Sequence, residues 1–329
     1  ANPTLLFHVA SNPEFLREGS AIFDTLYPDR IVIGTDGDFA KVKLAELYSP
    51  LIEQEFKAPD YCLRPEFIET KAEKAKIPFI ATDITSAEMI KYSANSFLAM
   101  KISFANQVAN ICDLVGADVT EVMNGIGSDS RIGAKFLNAG IGWGGSCFGK
   151  DVHALIKIAE EYDYKPDLLT ATCDVNYRQR NLVIKKLQEQ MKILKGKRIA
   201  LLGLAFKPNT DDLRDAPALD IAAALIKLGA SVSVHDPIAM SNCKKQNPDL
   251  AVTYEDDVYE LVKNKDAVVL VTEWQDYRDI DLEKVYSLMN GNKILLDGRN
   301  IYNPDEAARI GLKYIGMGRE AKESKPALV

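Results

Sequence analysis

Apolar and polar positions along this 329-residue chain fall into three stretches of different rhythm. In the first, up to about residue 82, short apolar runs alternate with one longer periodic segment. "LLFHVA", "RIVIGT" and "IPFIAT" read as strands, and "DFAKVKLAELYSPLIEQ" reads as a helix with Asp36 or Asp38 as its N-cap. Residues 55–76 between them are polar and charged, which predicts an excursion over the surface. Strands alternating with helices predict a parallel α/β sheet, only part of which lies in this stretch.

From residue 85 the rhythm becomes helical. Ile90, Phe97, Leu98, Ile102 and Val108 recur at helix spacing, and Thr85 with Glu88 makes a capping-box pattern. A helix over 85–115 would be roughly 40 Å long, more than one domain needs. Helical patterns continue to Met191, broken by "GIGSDSRIG" and "GWGGSCFGKD". A third stretch opens at "KGKRIALLGLAFKPNTDDLRDAPALDIAAALIKLGASVSVHDP", where strand, loop, helix and strand follow in turn and Asp236 closes the second strand. "DAVVLVTEW" and "NKILLDGR" add two more strands. The loop after the first strand reads G-L-A-F-K and lacks G-x-G-x-x-G, so this half can hold a nucleotide without carrying the dinucleotide fingerprint. The expected fold class is α/β: two Rossmann-like α/β domains, the first incomplete, joined by an all-helical middle domain with a long central helix. The expected boundaries are 1–84, 85–194 and 195–320, followed by a disordered tail at 321–329.

Composition narrows the function. Lys and Arg number 40 against 47 Asp and Glu, a net charge of −7, which argues against a nucleic-acid or anionic membrane partner and leaves a small anion open. No apolar run is long enough to span a bilayer and no signal peptide is visible. Five irregularly spaced cysteines without a C-x-x-C pair, and three histidines, predict no metal site and a reduced, cytoplasmic compartment. The chain starts without Met and enters a strand almost at once, so it is expected to be a processed or truncated chain.

The candidate chemistry centres on Cys147. It follows Gly144 and Gly145 and precedes Lys150 and Asp151, at the mouth of the helix "VHALIKIAEEYDY". A helix N-terminus favours an anion, so a thiol placed there gains thiolate character, and the glycines let a ligand approach the backbone. A small buried hydrophobe in a tight turn explains the same residue. Lys91 and Asn95, one turn apart, project from one face of the long helix; the plain alternative is a snorkelling lysine and a backbone-bonded amide. Glu14 and Glu18 in "NPEFLREG" also read as a solvated helix start.

Together "SNPEFLREGSAIFDTLYPDRIVIGT", "SAEMIKYSANSFLAMKISFANQVANICDLVGADV", "RIGAKFLNAGIGWGGSCFGKD", "LLGLAFKPNTDDLRDAP" and "LLDGRN" resemble the nucleotide-sugar 6-dehydrogenases, with the branch that oxidises UDP-glucose nearest. That resemblance implies NAD-dependent four-electron oxidation of UDP-glucose to UDP-glucuronate. Cys147 would be the nucleophile, passing through a thiohemiacetal and a thioester. Lys91 and Asn95 would stabilise charge at O6, Asp151 would position water with Lys91, and Glu14 would be the acid/base of thioester hydrolysis. Substrate would also touch Phe15, Leu16 and Glu18, and the neighbouring subunit's Arg131 would reach the site. UDP would lie between the middle and last domains, against Phe136, Leu137, Asn138, Gly140 and Gly144 and against Phe206, Lys207 and Arg299. Glu18, Cys147, Lys150 and Arg214 would contact NAD. The long helix would form a homodimer.

Two departures stand out. Gly149 occupies a position where the family often has Pro, which loosens the helix start. The family's N-terminal G-x-G-x-x-G segment does not occur in the sequence, so residues 1–329 alone are expected to be inactive and redox activity to belong to the complete polypeptide. GDP-mannose oxidation is the nearest alternative, disfavoured because Phe148 follows the cysteine where GDP-mannose enzymes more often carry Leu. A non-catalytic nucleotide-sugar-binding or dimerising remnant is the alternative from another class.

Overall fold

The computed structural model describes residues 7–62 and 76–322. The chain divides into two compact units, residues 1–94 and 95–329.

In the first unit the β-branched run Ile31–Ile33 is buried and forms the middle strand, β2 (Ile31–Thr35), of a three-stranded sheet. Strand β3 (Phe79–Thr82) pairs parallel to it, with Ile31 opposite Phe79. Strand β1 (Ala10–Ser11) pairs antiparallel, Ala10 opposite Thr35, so the parallel expectation holds for one neighbour only. Of "LLFHVA", Leu5 and Leu6 lie outside the described residues and Phe7 to Val9 are not in a strand. Helix α1 is short (Ala21–Leu26), and Glu14 and Glu18 precede it instead of forming a helix start. Helix α2 (Asp38–Ile52) has Gly37 at its N-cap and no side-chain cap, so neither Asp36 nor Asp38 plays the expected part. Of the charged excursion, residues 63–75 lie outside the described residues.

Immediately after β3 the long helix begins. Helix α3 spans Ile84–Val115, 32 residues, about 48 Å at the standard rise. Its first turn is satisfied by Asp83, whose Oδ1 accepts from Ser86 N at 2.8 Å, and that bond holds the carboxyl below the usual range. Thr85 and Glu88, the expected capping box, sit two residues too late, inside the helix. Gly34 is required here, because a Cβ on it would come within 2.7 Å of Asp83 O.

The second unit begins within α3 and continues through α4 (Val119–Gly127), α5 (Ser146–Glu161) and α6 (Asp167–Met191). Within it α3 is fastened to α6 by Ser103 Oγ donating to Thr172 O at 2.9 Å and by a Lys186–Asp113 ion pair at 2.8 Å. A six-stranded parallel sheet follows: β4 (Arg198–Leu202), β5 (Ser231–His235), β6 (Thr253–Tyr254), β7 (Ala267–Leu270), β8 (Ile294–Asp297) and β9 (Lys313–Ile315), in the spatial order β6-β5-β4-β7-β8-β9. Every residue of β7 and β8 is buried, as a sheet covered by helices on both faces requires. Renumbered from β4, the order is 3-2-1-4-5-6, the doubly wound Rossmann arrangement. The covering helices include α7 (Pro217–Lys227), with Pro at its first turn.

At the C-terminal end the expected tail is partly held. Lys322 pairs with Tyr314 in an antiparallel bridge, while residues 323–329 lie outside the described residues. Among the described residues no helix is long and apolar enough to cross a membrane, and no group of His, Cys, Asp and Glu side chains is arranged to hold a metal ion.

Candidate active site

The glycine-rich segment from Phe136 to Gly145 leads into α5, and Cys147 is the helix's second residue. Gly145 is the N-cap, with φ +87° and no side-chain cap, so the first-turn N–H groups face out without a local acceptor from that residue. Cys147 is exposed, with its Sγ 3.7 Å from Ser146 Oγ. Cys112, Cys173 and Cys243 are buried, and burial pushes all three thiols up, Cys173 to about 11. Cys62 is half-buried.

Two polar pairs account for the remaining candidate catalytic groups. In the first unit, Lys91 Nζ lies 2.8 Å from Glu14 Oε1 and donates to Glu14 O at 2.6 Å. Phe15 stands beside it, its ring centroid 5.6 Å from the ammonium, and Leu16 N donates to Glu14 Oε2 at 2.7 Å. The lysine on an apolar helix face therefore has a partner. In the second unit, Asn95 Nδ2 donates to Asp151 Oδ2 at 2.6 Å, and Lys150 Nζ is 3.2 Å from Asp151 Oδ1. Asp151 is only 2% exposed, so this carboxylate depends on those partners.

The same loop packs on the C-terminal sheet. Ile141 N donates to Gly298 O at 3.1 Å, and Gly145 N to Arg214 O at 2.9 Å. Arg299 reaches across, with Nη1 to Gly142 O at 3.1 Å and Nε to Val271 O at 2.6 Å. Gly140 and Gly144 admit no side chain: a Cβ at 140 would meet Gly298 O at 2.7 Å, and one at 144 would collide with Asp215 O. Phe206 lies against Gly145, and Lys207 Nζ is 5.4 Å from its ring. Leu137, Asn138 and Arg299 also line a cavity of about 70 Å³ with residues of α4. These loops leave the carboxyl ends of β4, β7 and β8, where a doubly wound sheet binds ligands.

The loop after β4 is closed to a dinucleotide. Asp236, following β5, is fully buried; its Oδ2 accepts from Leu204 N, Ala205 N and Trp274 Nε1, and its Oδ1 from Ile238 N and Ala239 N. A carboxylate that would bind ribose hydroxyls is instead saturated by its own loop.

The side chains of other expected residues are engaged locally. Arg131 pairs with Asp129 at 2.5 Å and Arg214 with Asp212 at 2.9 Å, each on its own exposed turn. Glu18 is half-buried before α1. Four buried polar residues went unnoticed in the sequence. Asn106 Oδ1 accepts from Gly140 N, Gln179 Nε2 donates to Gly140 O, and Asn176 and Arg180 hold the backbone of Trp143. Their signal was available: Asn176, Gln179 and Arg180 occupy i, i+3 and i+4 on a face of α6 shared with Val183 and Leu187.

A parallel sheet of Rossmann order, with a glycine-rich loop docked on it and an exposed thiol at a helix start, describes an α/β protein of doubly wound architecture. Comparison with known proteins agrees. Residues 85–178 match the central domain of the UDP-glucose/GDP-mannose dehydrogenase family, residues 200–304 its UDP binding domain, and residues 2–52 its NAD binding domain. The UDP-glucose 6-dehydrogenase YwqF of Bacillus subtilis (strain 168) is 46% identical over 313 residues, which are 95% of this chain and 65% of that protein. The UDP-glucose 6-dehydrogenase of Rhizobium meliloti (strain 1021) is 42% identical over 321 residues, 97% of this chain and 68% of that protein. The solved UDP-glucose dehydrogenase of the archaeon Pyrobaculum islandicum superposes with a TM-score of 0.81 at 36% identity, covering 96% of this chain and 65% of that one. The chain belongs to the UDP-glucose/GDP-mannose dehydrogenase family. It spans 65% of the length of the first of these relatives.

Proposed function

We propose that the protein containing this chain oxidises C6 of UDP-glucose to the carboxylate of UDP-glucuronate, with Cys147 as the covalent nucleophile. The observation that carries this reading is the exposed thiol at the side-chain-uncapped start of α5, on a loop fastened to the ends of the nucleotide-binding sheet. UDP is held by the Phe136–Gly144 loop with Phe206, Lys207 and Arg299. The relatives' names support UDP-glucose over GDP-mannose.

Each of the two oxidations releases one hydride, and accepting it is the chemistry that NAD supplies. Residues 1–329 fit that cofactor only in part: among the described residues no strand runs into a G-x-G-x-x-G turn, the match at Gly140–Gly145 following no strand, and Asp236 is already saturated. Glu18, Lys150 and Arg214 are the side chains assigned to it. The chain's other residues do the following. The Cys147 thiolate adds to the C6 aldehyde, forming a C–S bond and an oxyanion that Lys91 and Asn95 stabilise. Loss of the second hydride leaves a thioester. Water positioned by Asp151 and Lys91, with Glu14 as base, cleaves the C–S bond and returns the thiolate. An unpaired nucleophilic thiol suits a reducing compartment, and the cytoplasm is the proposed location.

A substrate panel followed by NADH absorbance is expected to show two NAD+ reduced per UDP-glucose and roughly tenfold or greater preference over GDP-mannose in kcat/KM. Equal or better turnover of GDP-mannose would defeat the assignment.

The homodimer is proposed to form on α3, where Phe97, Phe104 and Ile111, seven residues apart, are each about half exposed. Arg131, 86% exposed and paired with Asp129 on its own turn, is proposed to serve the neighbouring copy. Sedimentation at micromolar concentration should give a dimer, and Phe104→Glu a monomer. A wild-type monomer would remove this proposal.

A further inference from the structure

The backbone of Trp143, between Gly142 and Gly144, is gripped more tightly than a surface loop requires. Asn176 closes on both of its polar groups: Trp143 N donates to Asn176 Oδ1 at 2.7 Å, and Asn176 Nδ2 donates to Trp143 O at 3.0 Å. Arg180, one turn along α6, adds a second donor, with Nη2 to Trp143 O at 3.0 Å and to Asp215 O at 3.1 Å. Its Nη1 is paired with Asp215 Oδ1 at 2.8 Å and Asp220 Oδ2 at 2.5 Å. Asn176 is 1% exposed and Arg180 5%. Gly142 makes the approach possible: it has φ +101°, and a Cβ there would lie 2.7 Å from Asn176 Oδ1. The Trp143 ring is pinned as well, its Nε1 donating to Ser103 Oγ at 3.0 Å and its face meeting the edge of Phe148, the neighbour of Cys147, at 6.1 Å and 88°.

We infer that Asn176 and Arg180 are positioning residues for Cys147, acting through the backbone of Trp143. The inference rests on the reading of Cys147 as nucleophile. Three of the four residues before Ser146 are glycines, and such a segment left unbraced samples many backbone conformations. Fixing the backbone of one residue near its centre, by the N–H of the peptide before it and the C=O of the peptide after it, sets the direction in which Gly144 and Gly145 deliver the start of α5. Arg180 ties the Trp143 carbonyl to Asp215, beside Arg214, whose carbonyl accepts from Gly145 N. A small misplacement of a reacting atom costs about 100-fold in rate, so the brace acts on the chemical step. The other end of the loop, at Gly140, is braced separately by Asn106 and Gln179.

The test compares Arg180→Lys and Asn176→Ala in the complete protein with Lys186→Met, which breaks an ion pair between α6 and α3 away from the loop. Arg180→Lys keeps the positive charge near Asp215 and Asp220 and loses the fork that also reaches Trp143 O, so it remains informative should Asn176→Ala fail to fold. Two readouts are taken. In Arg180→Lys, kcat with UDP-glucose should fall about 100-fold with KM changed by less than about threefold. The alkylation rate of Cys147 by iodoacetamide, read without turnover, should fall about tenfold. Asn176→Ala should move both readouts the same way, and the double variant should be less than additive because both residues hold the Trp143 carbonyl. Unchanged kcat and alkylation in Arg180→Lys, or losses matched by Lys186→Met, would overturn the inference. If the alkylation rate falls as expected while wild-type protein leaves UDP-glucose unoxidised, the proposed function fails and the positioning role stands.

Discussion

Cys147→Ser should abolish turnover of UDP-glucose, lowering kcat by on the order of 10⁴-fold or more, while the protein remains folded. The side chain is exposed and only one atom changes, so stability should shift by no more than about 0.5 kcal/mol. Chemistry is affected far more, because a serine alkoxide at this position is much harder to generate than a thiolate. If the first oxidation survives, the variant accumulates a slowly hydrolysing ester on Ser at that position, visible as added mass on the peptide. Cys62→Ser, in the charged segment, is the matched comparison and should retain close to full activity. Steady-state assays and peptide mass spectrometry check both. A Cys147→Ser enzyme with more than about a hundredth of wild-type kcat would exclude covalent catalysis at this residue.

Lys91→Met should lower kcat by about 10²–10³-fold with little change in KM, the pattern expected when an interaction is made mainly in the transition state. The ammonium is the charge assigned to the developing O6 oxyanion. It also holds Glu14 through both a carboxylate and a carbonyl oxygen. Because the Glu14 side chain is 54% exposed, water can replace the lost ion pair, and the stability cost should stay near 0–1 kcal/mol. A melting temperature close to wild type together with a collapsed kcat separates the catalytic role from a tether. A large rise in KM at unchanged kcat would show instead that Lys91 only binds substrate.

How much of this was legible in the sequence depended on the length of each signal. The long helix, the helix ending at Met191 and the buried runs at Ile31, Ile199, Ala267 and Ile294 were readable because many residues repeat one pattern. Strands β6 and β9, of two and three residues, offer no such repetition. The start of α3 was misread because β3 runs into the helix through the single residue Asp83, leaving the Thr85–Glu88 pattern inside the first turns. The mouth of α5 was legible because a glycine-rich run gives way there to a helical pattern. Asn176 and Arg180 were not, since polar residues on a buried helix face acquire meaning only when their backbone partner, 33 or 37 residues away, is known. The partners of Lys91 and Asp151 were hidden for the same reason: Glu14 is 77 positions from Lys91, and Asn95 is 56 from Asp151.

Brief iodoacetamide treatment with and without UDP-glucose, followed by peptide mapping of all five cysteines, tests the central claim most directly. Cys112, Cys173 and Cys243 are shielded by burial, which also raises their thiol pKa values, while Cys147 stands at an exposed helix start. The account predicts that Cys147 is labelled first and that UDP-glucose protects it, with Cys62 indifferent to the substrate. Faster labelling of another cysteine, or labelling of Cys147 unchanged by saturating UDP-glucose, would contradict it.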